Sequence, residues 1–176
     1  FEKTADYVLR ELRDEEGGFF CAQDADSDGE EGKYYLFTPS EITGILGEIS
    51  GTDFNSTYDI TEEGNFEGRS IPNLLKSDVL LPNRDRDAAA VYEYRRKRAV
   101  LHLDDKILTS WNSLMIAGLA MLYRISNKAE YLDAAKDALE FIHKNLQEDN
   151  RLYSSWRKGK RGAAGFLDDY AFHIFA

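Results

Sequence analysis

Apolar residues along the chain alternate between helical and strand-like spacing. Phe1, Ala5, Val8, Leu9 and Leu12 fall at i, i+4, i+7, i+8 and i+11, the stripe of an amphipathic helix that Gly17-Gly18 ends. No Ser, Thr, Asp or Asn precedes Phe1 to cap that helix, so the expectation is a piece of a longer protein. Phe19-Phe20-Cys21-Ala22-Gln23 and Lys33-Tyr34-Tyr35-Leu36-Phe37 are aromatic-rich runs around an acidic, Gly-bearing tip, which predicts a β-hairpin over about 18–38. Thr38-Pro39-Ser40-Glu41 opens a short helix with a cap, a proline at its first position and a capping box, and Gly47 closes it. From about 50 to 83, Gly51, Gly64, Gly68, Pro72 and Pro82 interrupt any period, predicting a loop-rich connector.

Beyond that point the pattern is helical again. Residues 84–99 predict a charged helix, and 109–126 one that is apolar nearly all round. Residues 128–146 carry a clean stripe at Tyr131, Ala135, Ala138, Leu139, Ile142 and Leu146. A helix apolar on all sides is buried on all sides, so 109–126 and 128–146 predict an inner and an outer helix joined as an αα-hairpin. Arg151-Leu152-Tyr153-Ser154-Ser155-Trp156 predicts a short strand, and Phe166 starts a last apolar helix. Alternation of inner and outer helices predicts a mainly α chain, 1–176 forming part of an α/α toroid with a β-hairpin insertion near its N-terminus. Helical hairpins would fill about 84–176.

Composition narrows the function classes. The 176 residues carry a net charge of −10, unevenly spread: residues 1–67 hold 18 acids and 4 bases, and residues 68–176 hold 14 acids and 18 bases. An acidic half repels phosphate backbones, which argues against a nucleic-acid partner. No run of 18 apolar residues is present and no signal peptide is visible, so neither a membrane partner nor export is expected. One cysteine, Cys21, permits no internal disulfide and favours a reducing, cytoplasmic setting.

Three clusters carry candidate chemistry. Asp24-Ala25-Asp26-Ser27-Asp28-Gly29 has the first half of a calcium loop, but Tyr35 occupies the twelfth position where a closing Glu belongs, so no metal site is expected. The second cluster is Leu103-Asp104-Asp105-Lys106-Ile107-Leu108-Thr109-Ser110-Trp111-Asn112. The third, Gly165-Phe166-Leu167-Asp168-Asp169-Tyr170, also sets an acid pair at the entrance of an apolar helix. Carboxylates facing each other across a cleft are the apparatus of general acid–base work on glycosides. On that reading Asp104, Asp105, Asp168 and Asp169 are the catalytic candidates, with Trp111, Asn112, Tyr170 and Lys106 binding substrate. The plain alternative is that both pairs cap helices. The three histidines, His102, His143 and His173, lack metal-ligand spacing, although His173 lies one turn after Asp169 and could pair with it. No cofactor motif is present.

The blocks Gly17-Gly18-Phe19-Phe20 to Thr38-Pro39, Thr61-Glu62-Glu63-Gly64-Asn65-Phe66-Glu67-Gly68, Leu103 to Asn112 and Gly165 to Ala171 resemble, in order, those of the YyaL-like family, the spermatogenesis-associated protein 20 group. Ser113, and His102 before Leu103, stand where that family commonly has Gly. The resemblance implies a thioredoxin-like domain followed by an α/α toroid of the kind shared by six-hairpin glycosidases and sugar 2-epimerases. This chain would be an internal piece of the toroid without the thioredoxin-like domain. The glycosidase kinship is one of fold alone. Three functions follow: one side of a carbohydrate-binding or carbohydrate-modifying cleft, a non-catalytic binding or scaffold module, or an accessory part of a thioredoxin-like redox protein. Expected partners are a carbohydrate, the remainder of the parent protein and a second copy of the chain.

Overall fold

The computed structural model describes residues 1–77, 81 and 83–176, so the part of the expected connector at 78–80 and Pro82 lies outside the described residues. About half of the described chain is helical, and it divides into two compact units, residues 1–23 with 103–176 and residues 24–102.

The first unit joins helices to an antiparallel sheet. Helix α1 (Glu2–Glu11) buries Ala5 and Val8, the centre of its predicted stripe. The turn after it needs Gly17, whose φ is +102° and whose missing Cβ would sit 2.8 Å from the Cβ of Asp137. Strand β1 (Phe20–Gln23) does not pair with the 33–37 run. It pairs antiparallel with β4 (Leu103–Leu108), Phe20 opposite Ile107 and Ala22 opposite Asp104. Strand β7 (Ser155–Arg157) lies on the other side of β4, and β8 (Lys160–Arg161) completes the order β1-β4-β7-β8.

Helix α5 (Thr109–Ser126) follows β4 directly and turns at Asn127, in the left-handed conformation, into α6 (Ala129–Phe141). The predicted αα-hairpin is therefore present. Ala134, Ala135 and Ala138 let α6 approach α5 closely, and Ile116, Leu119, Tyr131 and Phe141 fill the seam with Ile107 from the sheet. A π-helical turn (Ile142–Leu146), the small hairpin of β5 (Gln147–Glu148) and β6 (Arg151–Leu152), and helix α7 (Leu167–Phe175) complete the unit.

The second unit is a small helical assembly. Helix α2 (Pro39–Leu46) starts with the predicted capping box. The Thr38 N–H donates to Glu41 Oε2 at 2.9 Å, and the Glu41 N–H donates to Thr38 Oγ1 at 3.3 Å. Gly47 ends α2 and leads into α3 (Glu48–Thr57), which occupies the first part of the expected irregular connector. These two helices and α4 (Arg84–Arg98) enclose Phe37, Ile42, Phe54, Ile60 and Val91. The acidic tip is a two-residue ladder, β2 (Asp26–Ser27) with β3 (Glu30–Glu31), and Phe37 pairs instead with Ser70.

These features overturn the expected fold class. An α/α toroid repeats inner and outer helices. Here one helical hairpin packs on a four-stranded antiparallel sheet, and α2–α4 form a separate unit. The aromatic hairpin over 18–38 is likewise replaced by β1 pairing with β4 and by the small ladder at 26–31. The misread element is β4, whose acids masked a strand with Leu103, Ile107 and Leu108 at its ends. Nor is α5 buried on all sides: Trp111, Leu114, Met121 and Ile125 are exposed along one face.

Candidate functional site

The first acid pair sits on β4, where successive side chains point to opposite faces, so Asp104 and Asp105 cannot act on one group. Asp104 meets Lys106, two positions on, at 3.1 Å. Asp105 is bound by Arg157 from β7, with Lys158 at 3.5 Å. A cation holds each carboxyl below its ordinary range, the Lys106 ammonium for Asp104 and the Arg157 guanidinium for Asp105. These carboxylates are therefore suited to remaining ionised, not to donating a proton.

The second pair is split by burial. Asp169 is 2% exposed and accepts two backbone hydrogen bonds, from Ser110 N–H at 3.0 Å and from Phe166 N–H at 2.8 Å. One carboxylate thus caps both α5 and α7. Asp168 faces solvent with no ion pair or hydrogen bond among the described residues. No hydrogen bond or ion pair among the described residues joins the two pairs. The His173 ring packs against His143 at 5.4 Å, not against Asp169, and burial, then the neighbouring His143, push its pKa down.

The binding candidates divide in the same way. Asn112, 1% exposed, accepts from Phe19 N–H at 2.7 Å and donates to the carbonyls of Phe19 and Leu108, both at 2.9 Å. Its amide clamps the chain entering β1 onto α5. The Tyr170 hydroxyl accepts from Leu152 N–H at 3.0 Å. Lys106 is held by Asp104, while Trp111 is 55% exposed. The Cys21 thiol is pushed up by burial and by Asp104. Asp24 accepts from the N–H of Asp26 and Asp28 pairs with Lys33, so the acidic tip holds its own turn. No group of three or more His, Cys, Asp or Glu among the described residues could hold a metal ion.

A different site emerges in the second unit. A cavity of about 390 Å³ is lined by Tyr35, Phe37, Phe54, Tyr58, Val91 and Arg95, together with Ile71, Pro72, Ala88 and Tyr92. Two helices supply much of its wall: α3 presents Phe54, whose ring meets Tyr58 at 4.3 Å, and α4 presents Ala88, Val91, Tyr92 and Arg95. The wall segment at 35–37 is adjoined by an ion-pair hub at Glu41. Arg69 contacts both Glu41 oxygens, at 3.0 and 2.8 Å. Arg98 reaches Glu41 at 3.3 Å and donates to the carbonyls of Lys33 at 2.8 Å and Tyr34 at 3.1 Å. Burial raises the Glu41 pKa, but the Thr38 amide and the two guanidiniums together outweigh it and hold the carboxyl low.

None of the eight residues singled out in the sequence lines this cavity. The overlooked signal was the spacing of Ala88, Val91, Tyr92 and Arg95, which places an aromatic and a cation on one helix face. The charge density of 84–98 concealed that face.

No family model matches the chain. It is 29% identical to human spermatogenesis-associated protein 20 over 96% of its own length and 27% of that protein's. It is 28% identical to the mouse protein of the same name, with the same coverage. An uncharacterised protein of Caenorhabditis elegans is 29% identical over 96% of this chain and 29% of its own length. The chain therefore spans less than a third of the relatives it matches. The four motif blocks do belong to a match that runs almost end to end: the chain is similar to spermatogenesis-associated protein 20.

Proposed function

We propose that this chain binds a small ligand without transforming it, and that the aromatic cavity of the 24–102 unit is the binding site. One contrast carries this reading. Asp105 and Asp169 are committed to an ion pair and to two helix caps, whereas the cavity lining holds aromatic faces and one cation but no carboxylate, thiol or imidazole. Its volume falls within the ~300–1,000 Å³ of small-molecule sites, and its lining is predominantly apolar, as theirs is.

The same lining disfavours the carbohydrate reading. A sugar brings a hydroxyl on nearly every carbon, and each one buried without a partner costs free energy. The wall offers three tyrosine hydroxyls and Arg95 against six apolar residues. The ligand class that fits is planar and mostly apolar.

Titration of the whole chain with 2-naphthol and, separately, with a glucose trisaccharide, followed by amide NMR shifts, tests this. Saturable shifts around Phe54, Val91 and Tyr92 with naphthol alone are expected, and Ala88→Leu, which narrows the cavity, should abolish them. Binding or cleavage of the trisaccharide at the acid pairs would overturn the reading, as would no response to naphthol.

A further inference from the structure

Arg95 is the unusual group in the cavity wall. Its guanidinium carbon lies 4.6 Å from the ring centre of Tyr34, 5.1 Å from that of Tyr92 and 5.3 Å from that of Tyr35. Three rings within cation–π distance hold the guanidinium in place. Its Nε is buried, and among the described residues no acceptor and no carboxylate meets any of its five N–H groups. Arg69 and Arg98, whose Nε is likewise buried and unpaired among the described residues, both share Glu41. Arg95 has no such counter-charge among the described residues, and it is the one of the three that lines the cavity.

Attraction to a ring face uses the charge of a guanidinium and consumes none of its N–H donors, so these contacts leave its hydrogen-bonding capacity unspent. A guanidinium that carries a full charge and meets no acceptor among the described residues is complementary to an oxyanion, which it can take in a bidentate fashion. The apolar remainder of the wall suits the body attached to that head group.

We propose, on the basis of the binding reading above, that the cavity selects planar, apolar molecules bearing one oxyanion, a carboxylate or a phosphate, and that Arg95 is the residue that recognises it. The 24–102 unit as a whole is acidic, with 16 acids against 9 bases. Beyond roughly 10 Å that repulsion is screened at ordinary salt, whereas the direct contact at Arg95 is not. The basic run Arg95-Arg96-Lys97-Arg98 also makes the local charge positive.

Isosteric probes on the whole chain test this by calorimetry: 2-naphthoate and 2-naphthyl phosphate against the neutral 2-naphthamide. At least about tenfold tighter binding of one or both anions than of the amide is expected, equivalent to about 1.4 kcal/mol. Arg95→Gln should remove the preference, so that the anions bind that variant no tighter than the amide does, and Arg95→Lys should restore part of it. If all three probes bind equally to the unaltered chain, the cavity stands and the role of Arg95 falls. If an anion preference survives Arg95→Gln, Arg95 is not the recognition residue. If none of the probes binds, the binding reading itself falls. The comparison on the unaltered chain requires no variant to fold.

Discussion

At the scale of single residues, the most informative side chains are those whose chemistry was plain and whose purpose was not. Asp169 looks like a general acid in the sequence and is a shared cap in the structure. Removing it would strand two amide N–H groups at helix starts, one of them beside a buried position. Asp169→Ala should therefore cost about 1–4 kcal/mol in urea unfolding, the sum of two cap losses. Asp169→Asn should cost less, since its single carbonyl oxygen can still serve one amide. A catalytic Asp169 would behave differently, leaving stability nearly intact in the Asn variant, and that outcome would count against the capping role. Asn112 allows a parallel test. Replacing it with Leu leaves the N–H and C=O of Phe19 and the carbonyl of Leu108 without their side-chain partner. A loss of about 2–4 kcal/mol follows from the price of unpaired buried polar groups.

At the scale of elements, pH distinguishes the two units. The pKa of His173 is lower in the folded chain than its ordinary 6.5, because burial and then His143 oppose its charge. The unfolded chain therefore takes up the proton first, and stability falls as pH drops below about 6.5. A pH series of thermal melts should show that slope in the 1–23 with 103–176 unit, and His173→Phe should flatten it between pH 7 and 5. Glu41 has the opposite charge type and a lower window. Its folded pKa lies below its ordinary 4.5, so its contribution is complete above that value and disappears as pH falls through the folded pKa. Glu41→Gln should make the 24–102 unit melt early at neutral pH, where the carboxylate otherwise bridges Arg69 and Arg98. An unchanged melt would mean that the hub does not hold the cavity wall.

The same scale shows what could be read from the chain. Local rules served well where the partner is near in sequence: the Thr38–Glu41 box, the αα-hairpin turning at Asn127 and the stripe of α1 are all set within a few residues. They failed where the partner is distant. Phe20 pairs with Ile107, more than eighty positions away, so strand character gave no indication of which strand would be its neighbour. The acid pairs were visible, but two facts that decide their use were not: the alternation of a strand at Asp104 and Asp105, and the approach of Ser110 to Asp169. The cavity was hidden for a related reason, since its walls come from 35–37, 54–58, 71–72 and 88–95.

At the scale of the molecule, the open question is what becomes of the apolar surface on the first unit. Trp111, Leu114, Met121 and Ile125 are 55%, 44%, 53% and 82% exposed, and their spacing puts them on one face of α5. On α7, Leu167, Ile174 and Phe175 are 86%, 84% and 63% exposed. Residues that are apolar, large and adjacent on one helix face form a patch of the kind that promotes association. The matched relatives are more than three times as long as this chain, so in such a protein other segments are available to cover the face. For the chain by itself the prediction is a second copy. Fully burying a large apolar side chain contributes about 1.5–3 kcal/mol, and three of these four are already about half covered. The gain is thus smaller than four such terms, and rotational and translational losses of about 4–15 kcal/mol largely offset it. Association should therefore be weak and concentration-dependent. Light scattering over a tenfold dilution from high micromolar protein should show the mass falling toward 20.1 kDa. Met121→Glu with Ile125→Glu places charge on the exposed face without touching the buried Ile116 or Leu119, and should hold the chain at that mass throughout. A monomer at every concentration of the unaltered chain would show that the α5 face does not self-associate.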